Sequence, residues 1–303
     1  MRLVVLDSVL VDLTLRVAGL PERGGDVRSS RSSLSTGGGF NVLAAARRQG
    51  LDARYGGRLG RGPFADLARA SLAGEGIDVG ASDGDDDLGV CVVIVEDDGE
   101  RTFITAPGAE LGLDAATLDG LEVGAGDLLY LSGYNLAHPE LAPVIAPWVA
   151  TVPESVVVAF DPGARFADAE PDVLAAVLSR TDWLLASATE CRALGATQDL
   201  EAAVRALLGR VRVGVVAHDG SAGCLVGTDR EVVRVAGFEV QVVDSNGAGD
   251  AHNGVFLASL AAGLEPRAAA RRANAAAAMA IESFGPAMSP TRDALDEWLD
   301  ART

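Results

Sequence analysis

The sequence predicts an α/β fold in which a central, mostly parallel sheet is covered by helices on both faces. Three observations carry this prediction. From Asp127 onward, short and continuously apolar runs alternate with helical segments of ~10–15 residues: Leu128 to Leu131, Val156 to Phe160, Trp183 to Ala186 and Val211 to Ala217. Strands without a polar face belong in a parallel sheet buried on both sides. Arg2 to Leu6 is a run of the same kind at the start of the chain, and 303 residues at 49% hydrophobic supply a large core.

The elements follow in order. After the first strand, Val9 to Val17 continues by alternation, and Pro21 to Gly25 is a turn. Val27 to Ser35 is polar and alternating, suited to a half-exposed sheet. Gly37-Gly38-Gly39 then opens a helix to about Gln49. Gly56 to Gly62 joins a strand to a helix. It lacks a Gly-x-Gly-x-x-Gly in register and is not a dinucleotide loop. Asp83 to Asp87 is a solvated acidic loop. Leu88 and Ile94 stand where a calcium-binding loop needs glycine and an acid. Val90 to Glu96 and Arg101 to Thr105 form a hairpin around Asp97-Asp98-Gly99. In a parallel sheet, ligands bind beyond the strand C-termini. That rule brings Ser132 to Asn135, Asp161 to Gly163, Ser187 to Glu190 and His218 to Gly220 to one cleft.

Composition narrows the function. A net charge of −18 argues against nucleic acid and anionic membrane surfaces as partners. No stretch of about 18 uninterrupted apolar residues exists to span a membrane. Asp7 and Asp12 interrupt the N-terminal apolar run, so it does not read as a signal peptide. Cys91, Cys191 and Cys224 lie far apart and read as buried thiols of a reducing compartment, the cytoplasm. Every one of the 25 basic residues is arginine, which removes a P-loop lysine and any catalytic lysine.

The chemistry concentrates in Val243-Asp244-Ser245-Asn246-Gly247-Ala248-Gly249-Asp250-Ala251-His252. Phe238 to Val243 reads as a strand and Ala248 to Ala262 as a helix, with a glycine turn between them. Amides at such a helix start lack intrahelical acceptors and suit a phosphate. Asp250 then has two readings: complementing the helix dipole, or taking the proton of a hydroxyl that attacks the phosphate.

Asp244-Ser245-Asn246-Gly247-Ala248-Gly249-Asp250 resembles the C-terminal signature of the ribokinase, or PfkB, family of carbohydrate kinases. Thr36-Gly37-Gly38-Gly39-Phe40-Asn41 resembles the family's N-terminal signature, and the resemblance runs from the first strand to about Ser289. It implies a ribokinase-like three-layer sandwich in a single domain, residues 1–303. A small β lid of about residues 8–36 and 88–108 covers the sugar and is the expected surface for a homodimer.

The implied activity is transfer of the γ-phosphoryl of ATP to a hydroxymethyl group, with Asp250 as base and the amides of Asn246, Gly247, Ala248 and Gly249 holding the developing charge. Asp12, Gly37, Gly38, Gly39 and Asn41 are the implied sugar-binding residues. From the residues alone, Asp12 also suits a solvated strand position, and Asn41 a helix N-cap. Family members that take phosphosugars often carry lysine in the glycine cluster; its absence here points to an unphosphorylated acceptor. Glu190 is implied in the outer shell of Mg²⁺. Ser187 stands where the family has Asn, and the two also read as a capping box.

His218, Gly220, Gly223 and Asn274 match nucleotide-side positions, although His218 replaces a family Thr. Asp244, Ser245, Ala280, Gly285 and Ser289 match a site for K⁺; the last three also read as an ordinary turn after a helix. His138 and His252 read as loop and helix-surface residues. Two alternatives stand beside the sugar kinase: a nucleoside kinase, and a catalytically inactive sugar- or nucleotide-binding regulator.

Overall fold

The computed structural model describes residues 1–80, 84–283, 285 and 287–302. The elements are β1 (Arg2–Leu6), β2 (Val9–Arg16), β3 (Arg31–Gly38), α1 (Gly39–Arg48), β4 (Asp52–Tyr55), α2 (Pro63–Gly74), β5 (Asp78–Val79), β6 (Val90–Val95), β7 (Arg101–Ala106) and α3 (Ala115–Asp119). The second half adds β8 (Leu128–Ser132), α4 (Gly133–Leu136), α5 (Ala142–Thr151), β9 (Val157–Asp161), α6 (Pro171–Arg180), β10 (Trp183–Ser187), α7 (Ala188–Leu194) and α8 (Leu200–Leu208). It closes with β11 (Gly214–His218), β12 (Cys224–Thr228), β13 (Val232–Val235), α9 (Ala248–Ala261), α10 (Pro266–Ile281) and α11 (Arg292–Asp300).

The described residues form a nine-stranded sheet in the order β13-β12-β11-β10-β9-β8-β1-β4-β5. Its pairs are parallel from β5 to β11 and antiparallel for β11–β12 and β12–β13. The pleat divides β1 between two cores: Leu3 and Val5 pack on one face with Leu43, Phe256 and Leu295, and Val4 and Leu6 on the other with Leu129, Ile145 and Leu184. Strand order runs outward in both directions from the β1–β8 pair. That pair is therefore the topological switch point, and the cleft opens beyond its C-terminal ends. On the first face α1 lies directly against α9. A Cβ at Gly254 would come within 2.6 Å of the Val42 carbonyl, so this glycine sets the close approach of the two helices.

The fold is ribokinase-like, as expected. A second sheet, β3-β2-β6-β7, stands apart from the first and supplies the lid strands. The hairpin predicted at residues 90–105 is β6–β7.

Four expectations are corrected. The run Phe238 to Val243 is not a strand. The β12–β13 hairpin closes that sheet edge, and the Val243 and Asp244 amides donate instead to the carbonyl of Ile281 at the end of α10. Val242 and Val243 are consequently exposed. The polar strand expected from Val27 starts at Arg31 and runs on to Gly38, so the glycine cluster is shared between a strand end and a helix start. His252, expected on a helix surface, is only 3% exposed. Of the acidic loop, Asp83 lies outside the described residues. Asp87 is no solvated member of it: its carboxylate accepts from the Phe64 and Ala65 amides and caps α2.

Candidate active site

The two glycine signatures meet across the cleft. Asn41 lies in the first turn of α1 and Asp250 in the first turn of α9. Asn41 Nδ2 donates to Asp250 Oδ2 at 2.9 Å. Asn41 is buried, and its Oδ1 has no partner among the described residues. An amide in this position holds the carboxylate and keeps an acceptor free for a hydroxyl.

The glycine cluster has a specific reason at each position. A Cβ at Gly37 would collide with the Asp12 carboxylate, which is buried on the facing strand β2. Gly38 has φ 61°, and a Cβ there would strike the Ser8 carbonyl. A Cβ at Gly39 would stand 3.0 Å from the Cβ of Asp7. The backbone thus lies directly on the Asp7–Asp12 floor.

The start of α9 is an open cradle. Gly247 adopts the left-handed conformation with φ 74°, no side chain caps the helix, and the space beside Gly249 is clear. By contrast Ser187, Asp199 and Thr291 cap α7, α8 and α11. The free amides and the helix dipole make this terminus suited to a phosphoryl group.

Carboxylates ring the cradle. Asp161, at the end of β9, accepts from Tyr130 Oη at 3.1 Å, Asn253 Nδ2 at 2.8 Å and the Gly163 amide at 2.9 Å. Burial, and then the charges of Glu190 and Asp250, push it up to about 8. Asp7 and Asp12 are each pushed up to about 7, by burial and then by Asp250. Burial raises Asp250 itself, and the Asn41 hydrogen bond pulls it back down. Carboxylates this crowded repel one another unless protons, donors or a cation stand between them.

Ser187 and Glu190 form the capping box: the Glu190 amide donates to Ser187 Oγ, and the Ser187 amide donates to Glu190 Oε2 at 2.8 Å. Among the described residues no hydrogen bond reaches Glu190 Oε1, and the charge of Glu190 is felt at Asp161. Glu190 and Asp161 offer carboxylate oxygens of the kind that suit Mg²⁺, while no group of three or more His, Cys, Asp or Glu side chains among the described residues is placed to hold a metal by itself.

Where the resemblance implies the nucleotide, the rings of His218 and His252 lie 4.3 Å apart between centroids. His252 Nε2 faces Asn274 Oδ1 at 3.2 Å, and Asn274 Nδ2 donates to the carbonyls of Val235 and Ala236. Asn274 is therefore engaged within the protein and ties α9 and α10 to β13. Burial lowers His218 to about 4; burial and then the neighbouring His218 hold His252 well below the usual histidine range. Both rings stay neutral. Gly220 and Gly223, with φ 56° and 87°, form the turn from β11 to β12.

Of the five residues matched to a cation site, two touch. Asp244 Oδ2 accepts from the Gly285 amide at 3.1 Å, and Asp244 Oδ1 accepts from the Asn246 amide at 2.9 Å. Ala280 is buried at the end of α10, Ser245 is exposed, and Ser289 Oγ is buried without a partner among the described residues. A carboxylate and an orphaned hydroxyl are oxygen chemistry that suits K⁺, and the Ser289 carbonyl accepts from Arg48 Nη1 at 2.9 Å.

Sequence reasoning passed over Asp7, Tyr130 and Asn253. Asp7 closes the apolar run of β1 as Asp161 closes β9; a carboxylate at the C-terminal end of a buried parallel strand was the available signal. Asn253 lies one helical turn after Asp250.

A model of the pfkB family of carbohydrate kinases matches residues 1–292. The chain belongs to this family. Membership sets the class of chemistry, ATP-dependent phosphorylation of a sugar. An uncharacterized sugar kinase of Escherichia coli K12, YegV, is 30% identical over 96% of this chain and 92% of its own length. An ATP-dependent ribose-1-phosphate kinase of Halopiger xanaduensis is 31% identical over 96% of this chain and 95% of its own. A putative ribokinase II of E. coli, solved with ATP and Mg²⁺, superposes with a TM-score of 0.85 at 22% identity, covering 99% of both chains.

Proposed function

We propose that this kinase transfers the γ-phosphoryl group of ATP to a hydroxymethyl group of an unphosphorylated sugar or sugar-like acceptor. The observation that carries this reading is the Asn41–Asp250 hydrogen bond, which joins the acceptor wall to the phosphoryl cradle. Asp12, the backbone of Gly37 to Gly39 and Asn41 hold the acceptor hydroxyls, which turns proximity into rate. Asp250 accepts the proton of the attacking hydroxyl. The amides of Gly247 through Gly249 face the charge that develops on the transferred group, and the Asn246 amide is held by Asp244. Ser187, Glu190, His218, Gly220, Gly223 and Asn274 shape the nucleotide side. Mg²⁺, when bound near Glu190 and Asp161, supplies neutralisation of phosphate charge. K⁺, when held by Asp244, Ser245, Ala280, Gly285 and Ser289, supplies a counter-charge beneath the cradle.

The ribose-1-phosphate kinase relative favours a second reading, a phosphorylated acceptor. The lysine-free glycine cluster and the carboxylate floor support the first. ADP release measured over matched free sugars, sugar phosphates and nucleosides tests both. The first reading expects the highest kcat/KM for a free sugar; a clear preference for a phosphosugar or a nucleoside overturns it. An inactive regulator would show no turnover with any of them.

The lid supports a homodimer. Leu34, Leu13, Val92 and Ile104 stand in one cross-strand row on one lid face, and Leu34 and Ile104 are 51% and 60% exposed. Sizing of Ile104→Arg against the unaltered chain tests this: a mass unchanged by the substitution removes the row from the interface. We place the protein in the cytoplasm, from its three buried free thiols and because no described helix is long and apolar enough to cross a membrane.

A further inference from the structure

Asp7 is a half-buried carboxylate that the proposed chemistry leaves without a task. It stands at the C-terminal end of β1, at the topological switch point, directly beneath Gly39 of the acceptor wall. Its Oδ1 accepts from the Ser8 amide at 2.8 Å, and the Ser132 side chain at the end of β8 acts to lower its pKa. Ser8 Oγ in turn donates to Asn135 Oδ1 at 2.9 Å, which closes the switch point from below. Across the cleft the charge of Asp250 acts on Asp7 and on Asp12. Among the described residues no arginine pairs with any of these three carboxylates. An independent feature marks the space between them as a ligand site: the Asn41 amide, 5% exposed and bonded to Asp250, keeps an unpartnered Oδ1 there.

A purely structural Asp7 gains from a cation or a full set of donors, since even a half-buried carboxylate without a cation partner loses part of its hydration. Above about pH 7, where it ionises, this one sets an anionic field on the acceptor side instead. We propose that Asp7 is a charge filter for the acceptor: it excludes polyhydroxy compounds bearing a phosphate or carboxylate and admits neutral ones and those bearing an ammonium group. This rests on the acceptor site proposed above and narrows its substrate class. Repulsion across a partly buried site reaches several-fold to many-fold in affinity, because the dielectric there is well below that of water.

The test uses the full chain, Asp7→Asn and the charge-conserving Asp7→Glu. Each is assayed with the free sugar phosphorylated fastest by the unaltered enzyme, and with the phosphate- and amino-substituted forms of that sugar. The expected result is that Asp7→Asn raises the phosphate-to-neutral ratio of kcat/KM at least ~10-fold, the scale of one like-charge repulsion at this depth, and lowers the amino-to-neutral ratio. Asp7→Glu keeps the ranking of the unaltered enzyme. An Asp7→Asn enzyme that turns over the free sugar with both ratios unchanged overturns the filter and leaves the sugar-kinase reading intact. Absence of turnover with every free sugar overturns the sugar-kinase reading instead. The filter is then read from the melting-temperature shifts that the three forms produce: equal shifts in Asp7→Asn and the unaltered chain reject it. If Asp7→Asn does not fold, Asp7→Ser is measured in its place, with the same outcomes.

Discussion

Asn41 Nδ2 donates to Asp250 Oδ2 at 2.9 Å across 209 positions of sequence. The bond joins the first turns of α1 and α9, two helices that pack closely because Gly254 carries no side chain. The two glycine signatures are thereby held in one register.

This bond lowers Asp250 against the effect of burial, which raises it. Asn41→Leu removes the donor. Asp250 then titrates higher, and the acid limb of kcat/KM, which reports the ionised base, moves to higher pH. Hydrogen bonds to charged groups contribute ~1.5–3 kcal/mol, so kcat/KM falls about 10- to 100-fold. A pH–rate profile with an unmoved acid limb would show that Asn41 holds only the acceptor.

The carboxylate ring predicts the stability profile of the ligand-free protein. Asp7 and Asp12 titrate at about 7 and Asp161 at about 8 in the folded chain, all above the ordinary 3.8. The folded state therefore binds more protons than the unfolded state between these limits, and stability is lost as pH rises through about 8. His218 acts in the other direction: its folded value of about 4 lies below the ordinary 6.5, so stability is lost as pH falls from 6.5 toward 4. Melting temperature should thus decline from pH 6.5 to about pH 8 and level off above it, and Asp161→Asn should flatten that decline. An equal slope in the variant would remove Asp161 from the account.

The turn at Asp244 predicts activation by K⁺. Asp244 holds the Asn246 and Gly285 amides and so fixes the backbone that enters the cradle. A cation beside it would act through preorganisation, chiefly on kcat. At fixed Mg²⁺ and ionic strength, kcat should rise when K⁺ replaces a large organic cation, and Ser289→Ala should blunt the rise. Equal rates with both cations would withdraw the five-residue site.

The sheet and the two signatures were legible because their signals are local: apolar strands bounded by turns, and glycines where backbone and ligand approach. What stayed hidden depends on tertiary partners. The β-like run at Phe238 to Val243 is excluded from the sheet because β12 and β13 occupy its edge and the Ile281 carbonyl takes its amides. His252 looked like a surface residue in a helix of near-uniform polarity. It is buried because α9 lies between α1 and α10, with Asn274 and His218 against its ring. Asp7 looked like an interruption in an apolar run; only the strand order places it at the switch point.

The central claim is that Asp250 takes the acceptor proton. The direct measurement is single-turnover phosphoryl transfer by Asp250→Asn, with ATP affinity and melting temperature recorded on the same preparation. The account predicts a folded protein that binds ATP and transfers at least ~10²-fold more slowly, the usual scale for a lost general base. Transfer at close to the unaltered rate would contradict it and return Asp250 to a helix-dipole role.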